Sequence, residues 1–137
     1  MICAGNMRIT AMNKPSATRG SLVIVVDDDA AVRNSLKFSL EVEGFDVRLY
    51  SDGAALLRAT DLDDCDCLVI DQSMPGLSGL ETVRQLRKRR VSVPVILITG
   101  HATPALSASA VRFGMNIVEK PLFGNGLIDG IRAIIKH

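Results

Sequence analysis

Four short strand-like runs in this chain end on residues that can do chemistry. Leu22–Val26 runs into Asp27, Asp28 and Asp29, and Cys67–Ile70 runs into Asp71. Val95–Ile98 ends at Thr99 and Gly100, and Asn116–Glu119 ends at Lys120 and Pro121. If the four runs are parallel strands of one sheet, their C-terminal ends share the edge at which ligands of doubly wound folds bind. Carboxylates, a hydroxyl and an ammonium then meet in one pocket. Clustered carboxylates repel one another, and Lys120 offsets only part of that charge. A hard divalent cation supplies the remainder, and Mg²⁺ takes one or two carboxylates together with waters and phosphate oxygens. A carboxylate beside such an ion can attack phosphorus and form an aspartyl phosphate. Thr99 and Lys120 would then hydrogen-bond and neutralise the phosphoryl oxygens.

The segments between these runs read as the scaffold that brings them together. Leu22–Val26 is an unbroken, β-branched-rich run, as expected of a strand buried on both faces. A helix is predicted over Ala30–Glu43, with Val32, Leu36 and Leu40 on one stripe and Gly44 as its stop. Val47–Tyr50 is a short second strand, and Asp52 caps a short helix carrying Ala55, Leu56 and Ala59. Met74-Pro75-Gly76 is a turn signal after the third run. Ser78 then caps a helix with Leu80, Val83 and Leu86 inward, ending in the basic run Arg87–Arg90. Pro94 introduces the fourth strand. Thr103–Phe113 is a helix with Pro104 tolerated in its first turn. The last helix carries Leu127, Ile128, Ile131, Ile134 and Ile135, weakened by Gly126 and Gly130 at about 1 kcal/mol each. Five strands alternating with five helices give an α/β fold, a parallel sheet between helical layers. Right-handed crossovers restrict it to a doubly wound topology.

At 137 residues the chain has the size of one domain, expected over residues 21–137 after a disordered tail at 1–20. That tail carries Arg8, Lys14 and Arg19 and no acid, and Met7 and Met12 leave open a later translation start. The longest apolar stretches, about five residues, fall far short of the roughly 20 that cross a bilayer. No block of signal-peptide length is present at the N-terminus. A net charge of +1 argues for neither nucleic acid nor a membrane surface as partner. Cys3, Cys65 and Cys67 make an odd count, which favours a reducing cytoplasm over a disulfide framework.

The quartet Val25-Val26-Asp27-Asp28-Asp29, Asp71-Gln72-Ser73-Met74-Pro75-Gly76, Thr99-Gly100 and Glu119-Lys120-Pro121 closely resembles the receiver domain of bacterial two-component response regulators, over about Leu22–Ile135. The resemblance implies a flavodoxin-like strand order 2-1-3-4-5 and Asp71 as phosphoacceptor. Asp27 and Asp28 would hold Mg²⁺ directly or through water, Ser73 would offer its backbone carbonyl, Thr99 would be the switch hydroxyl and Lys120 the phosphoryl-binding lysine. It further implies a histidine kinase or phosphotransfer protein as donor, a downstream protein target and pairing of copies through the last helix. The role is that of a signalling domain rather than an enzyme, one that assists its own phosphorylation and dephosphorylation. The wording Thr99-Gly100-His101 is similar to the branch containing nitrogen-fixation and nodulation regulators. Two departures stand out. Ile117 occupies the position where the family usually places Phe or Tyr, and only 17 residues follow Lys120, so no output domain is expected.

Blander readings compete with some of these assignments. Asp29 fits a helix cap better than a metal ligand. Cys65-Asp66-Cys67 lacks a second ligand pair or a histidine cluster, so packing is favoured over zinc. Arg87–Arg90 sits at a helix C-terminus, where cations complement the dipole, and no aromatic residues interleave with it as nucleic-acid binding would prefer. His101 reads as a loop residue. A phosphorylation-independent receiver-like binding module remains the alternative function, motivated by Ile117 and by Gly126 and Gly130 in the last helix. A phosphatase is disfavoured because Ser73 stands where a second acid/base Asp would be needed. A nucleotide- or flavin-binding protein is disfavoured because three aspartates, not a Gly-rich loop, follow the first strand.

Overall fold

The computed structural model describes residues 20–122 and 124–135; the tail expected to be disordered lies outside them, Gly20 excepted. The chain alternates β1 (Leu22–Val26), α1 (Ala30–Val42), β2 (Asp46–Tyr50), α2 (Gly53–Leu57), a 3₁₀ turn (Leu62–Asp64), β3 (Cys67–Asp71), α3 (Gly79–Lys88), β4 (Val95–Thr99), α4 (Pro104–Phe113), β5 (Met115–Glu119) and α5 (Gly126–Ile135). The sheet runs β2-β1-β3-β4-β5, with every neighbouring pair parallel. This is the order implied by the resemblance.

Side chains alternate across a strand, so a strand covered on both faces must be apolar throughout. β1, β3 and β4 are buried at every residue. Ile24, Leu68, Ile70 and Leu97 face one layer with Leu56 of α2, Val83 and Leu86 of α3 and Leu106 of α4. Val23, Val25, Val69, Ile96 and Ile98 face the other, with Leu40 of α1 and Leu127 and Ile131 of α5. The expected caps form: Asp29 accepts from the amides of Ala31 and Val32, Asp52 from Ala55 and Ser78 from Glu81; Thr103, expected inside its helix, instead caps it and accepts from Leu106.

Several boundaries move. β3 and β4 continue one residue further than expected, because Asp71 pairs with Ile98 and Thr99 with Glu119 in the ladder. Asp71 and Thr99 are therefore held by the sheet itself, whereas Asp27, Asp28 and Lys120 sit just beyond the ends of β1 and β5. α2 stops at Leu57 and leaves Ala59 outside. On α1 only Leu40 is buried; Val32 and Leu36 stay half-buried and line a groove of about 350 Å³ with Leu127 and Ile128.

Two close contacts fix α3. A β-carbon at Gly79 would lie 2.6 Å from the Asp71 carbonyl oxygen and 2.7 Å from Leu97 Cδ1, so the start of α3 rests directly on the end of β3. A β-carbon at Gly53 would collide with the hydroxyl of buried Thr82. At its far end α3 is anchored by Arg87, whose Nε donates to the Phe113 carbonyl at 2.9 Å and whose Nη1 donates to Val91 at 2.8 Å. The basic run is thus not a uniform solvated face. Arg90, just beyond the helix, adopts a left-handed φ of 64°, a conformation that glycine takes without steric cost.

Gly79→Ala is expected to lower unfolding stability by about 2 kcal/mol, since the clash is with backbone and a core leucine. Arg90→Gly is expected to raise it by about 0.5–1 kcal/mol through relief of the left-handed strain. Urea denaturation of both variants checks the two signs; a stable Gly79→Ala would show that α3 can shift away from β3.

Candidate functional site

The C-terminal edge of the sheet gathers the predicted residues. Asp27 and Asp71 leave neighbouring strands and are almost fully buried, each 3% exposed, and Thr99 at the end of β4 is 5% exposed. Asp28 is exposed, yet carboxylate oxygens of Asp27, Asp28 and Asp71 all lie within 4.8 Å of one another. Lys120 reaches in from just past β5, with Nζ 3.0 Å from Asp71 Oδ1. Among the described residues, no donor other than that ammonium meets this buried oxygen.

Local bonds hold the acidic side in place. The Asp29 amide donates to Asp27 Oδ1 at 2.9 Å, while Arg33 Nη1 donates to the Asp27 carbonyl oxygen at 2.6 Å. Asp29 is spent on the α1 cap, as the sequence suggested. After β3, the Gln72 side chain accepts from the Leu80 amide at 2.8 Å, and its carbonyl accepts from Gly79. Ser73 is exposed and lines a cleft of about 620 Å³ with Gln72, Thr99, Gly100, His101 and Leu106. The Thr99 hydroxyl donates to the His101 carbonyl at 3.2 Å and accepts from the His101 amide at 3.3 Å.

Electrostatics favour an added cation. Burial, reinforced by the neighbouring Asp71 charge, raises the Asp27 carboxyl above its ordinary pKa despite the Asp29 amide and Lys120. Such a group favours the protonated form of the fold, so the contribution of Asp27 to stability falls as pH rises from its ordinary carboxylate value through the raised folded one. Burial works to lower the Lys120 pKa, but its hydrogen bond to Asp71 and the surrounding carboxylates outweigh this and raise it. Its contribution is complete below the ordinary lysine pKa and vanishes as pH rises through the folded value.

Other candidates fall away. Cys65 and Cys67 are buried free thiols pushed up to about 11 and about 12 by burial, with the Cys65 thiol donating to the Cys67 carbonyl. Among the described residues, Asp27, Asp28 and Asp71 form the cluster that could hold a metal ion, and the cysteines take no part in it. No helix among the described residues is long and apolar enough to cross a membrane. Sequence reasoning missed Arg33, the bridging side chain of Gln72 and Glu119, whose Oε2 accepts from the Ala102 amide at 2.9 Å. The last of these pairs joins residues 17 apart in sequence, and no spacing rule flags it.

Comparison with known proteins agrees with the geometry. A family model described as the response regulator receiver domain matches residues 23–132. The transcriptional regulatory protein FixJ of Azorhizobium caulinodans is 41% identical over 112 residues, covering 81% of this chain and 53% of its own length. FixJ of Bradyrhizobium diazoefficiens is 36% identical over 116 residues, covering 84% and 57%. The chain thus spans about half the length of the curated relatives it matches. The solved structure of FixJ-N superposes with a TM-score of 0.74 at 33% identity, covering 85% of this chain and 94% of that one. Response regulator TrrA from Thermotoga maritima, in complex with Mg²⁺-BeF, gives 0.71 at 27% identity, covering 83% and 98%.

Asp27→Asn keeps the acceptor for the Asp29 amide and removes one like charge. In chelator at neutral pH it is expected to raise unfolding stability by on the order of 1 kcal/mol, the aqueous limit for like charges about 4 Å apart. Added Mg²⁺ is expected to raise the melting temperature of the wild type more than that of the variant. A variant that melts lower than wild type in chelator would refute the like-charge strain.

Proposed function

Because the chain belongs to the response regulator receiver domain family of two-component signalling, we propose that Asp71 accepts a phosphoryl group from a histidine kinase or phosphotransfer protein. The observation that carries this reading is the buried Asp71 carboxylate, flanked by Asp27 and Asp28 and met by one ammonium, that of Lys120.

Asp71 is held by the β3 ladder, so little rotational freedom is lost on reaching the reactive geometry. One of its oxygens bonds phosphorus as the bond from phosphorus to the donor's imidazole nitrogen breaks, and the imidazole leaves with that electron pair. Lys120 neutralises charge on the phosphoryl oxygens, and Thr99 turns its hydroxyl to them. The donor set is all oxygen and anionic, which fits a hard divalent ion; Asp27, Asp28, Asp71 and the Ser73 backbone carbonyl would hold Mg²⁺. The bound ion supplies positive charge that screens the carboxylates from one another and from the incoming phosphate. The TrrA structure with Mg²⁺-BeF supports this choice of ion. The receiver then signals through contacts with a protein target, made by the surface of α4, β5 and α5, and copies pair through α5. The buried reduced thiols accord with a cytoplasmic setting. The domain promotes its own phosphorylation and dephosphorylation but turns over no other substrate.

A second reading rests on Ile117, which is half-buried against the core where related chains usually carry an aromatic ring. It makes the domain a binding module whose contacts ignore phosphorylation.

Intact-mass spectrometry after incubation with acetyl phosphate and Mg²⁺ separates the two. The proposed function gives a gain of one phosphoryl mass that is lost without metal and lost in Asp71→Asn, with the fold retained. Asp28→Ala is expected to raise the Mg²⁺ concentration needed by about tenfold. A normal gain in Asp71→Asn would remove Asp71 as the acceptor, and no gain in wild type under any condition would favour the phosphorylation-independent module.

A further inference from the structure

We infer that Glu119 is a positioning residue: its carboxylate, bound to the Ala102 amide, restrains the β4–α4 loop and so opposes the turning of the Thr99 hydroxyl toward Asp71. The inference deepens the reading of Asp71 as phosphoacceptor and rests on it for its functional half.

Thr99 and Glu119 are partners at the ends of β4 and β5, and the Lys120 amide donates to the Thr99 carbonyl at 2.8 Å. To this point the two chains are locked together. Beyond it the loop leaves the sheet at Gly100, where an added β-carbon would meet nothing within 4 Å. The loop therefore has open space around it, and on one side it borders the 620 Å³ cleft shared with Gln72 and Ser73. What holds it is a small set of hydrogen bonds. The two that involve the Thr99 hydroxyl, at 3.2 and 3.3 Å, are long. The third, from the Ala102 amide to Glu119 Oε2, is 2.9 Å and accepted by a charged group, which makes it roughly twice as strong as a neutral bond.

Glu119 also complements the helix that follows. α4 starts at Pro104 and has no acidic residue in its first turn, so its partial positive end finds no anion within the helix. The carboxylate of Glu119, placed on the amide two residues before α4, supplies that charge from β5. One side chain thus fixes the loop and favours the present position of the α4 N-terminus.

To bond a phosphoryl oxygen on Asp71, the Thr99 hydroxyl must leave the His101 backbone. Once it does, the Glu119 bond is the remaining side-chain hydrogen bond that ties the loop back to the sheet among the described residues. Loss of that bond makes the turn of Thr99 easier and phosphoryl binding tighter.

The test compares wild type with Glu119→Ala and Glu119→Gln, since a glutamine oxygen still accepts the amide. Two quantities are read: hydrogen exchange of the Ala102 amide by NMR, and the affinity for beryllofluoride in the presence of Mg²⁺. Glu119→Ala is expected to speed Ala102 exchange roughly fivefold and to tighten beryllofluoride binding by a similar factor. Glu119→Gln is expected to stay within about twofold of wild type in both. Unchanged exchange in Glu119→Ala overturns the restraint. Faster exchange with unchanged or weaker beryllofluoride binding overturns its coupling to Thr99. If wild type takes no beryllofluoride at any Mg²⁺ concentration, the phosphoacceptor reading and the coupling fall together, while amide exchange still decides the restraint.

Discussion

Like-charge repulsion at the ends of β1 and β3 is the constraint around which this domain is organised. Parallel strands at adjacent positions put Asp27 and Asp71 side by side, nine-tenths or more removed from water, with Asp28 close behind. Burial alone penalises such anions, and proximity adds to the penalty. The fold answers with bonds rather than with a matching number of cations. The Asp29 amide and the Arg33 guanidinium fasten the β1 end, Gly79 lets α3 pack onto the β3 end, and Lys120 arrives from across the sheet. Three carboxylates against the Lys120 ammonium and the Arg33 guanidinium still leave an excess of negative charge. That excess favours a divalent cation, and the proposed phosphoryl transfer to Asp71 depends on its being offset.

The apolar layers exist to hold this edge in register. Because β1, β3 and β4 are covered on both faces, they cannot slide by one residue without moving a hydrophobic set to the wrong layer. The strand ends, and the acids and hydroxyl they carry, inherit that precision. The same logic explains why strain is tolerated elsewhere. Arg90 can sit in a left-handed conformation because Arg87, three residues earlier, fixes the end of α3 through carbonyls of Phe113 and Val91.

Much of this is legible in the amino-acid order, and the reason is periodicity. Leu22–Val26, Cys67–Ile70 and Val95–Ile98 are uninterrupted apolar runs with no other good reading, and the polar residue that ends each run is the one the sheet displays. Caps such as Asp29, Asp52 and Ser78 are equally local, and their residue types alone made them visible. What escaped is long-range and side chain to backbone. Glu119 looked like the last residue of a strand, Arg87 like one cation in a solvated run, and Gln72 was given no role of its own. Each proved to serve a backbone group on another segment, which no window of neighbouring residues can reveal. α1 shows the opposite limit: its stripe of Val32, Leu36 and Leu40 was real, but α5 covers it only in part.

Arg87 has a mechanical corollary. Its bond to the Phe113 carbonyl ties the last residue of α4 to α3, while the first turn of α4 adjoins the β4–α4 loop. A helix tethered at one end and loaded at the other is a lever. Its ten residues span about 15 Å, so a displacement of about 1 Å at Thr103 becomes a tilt of roughly 4° about Phe113 rather than a translation. Surface residues near the start of α4 would sweep the largest arc, and those near Arg112 would hardly move. A partner that reads such a change gains most by gripping the helix far from its pivot.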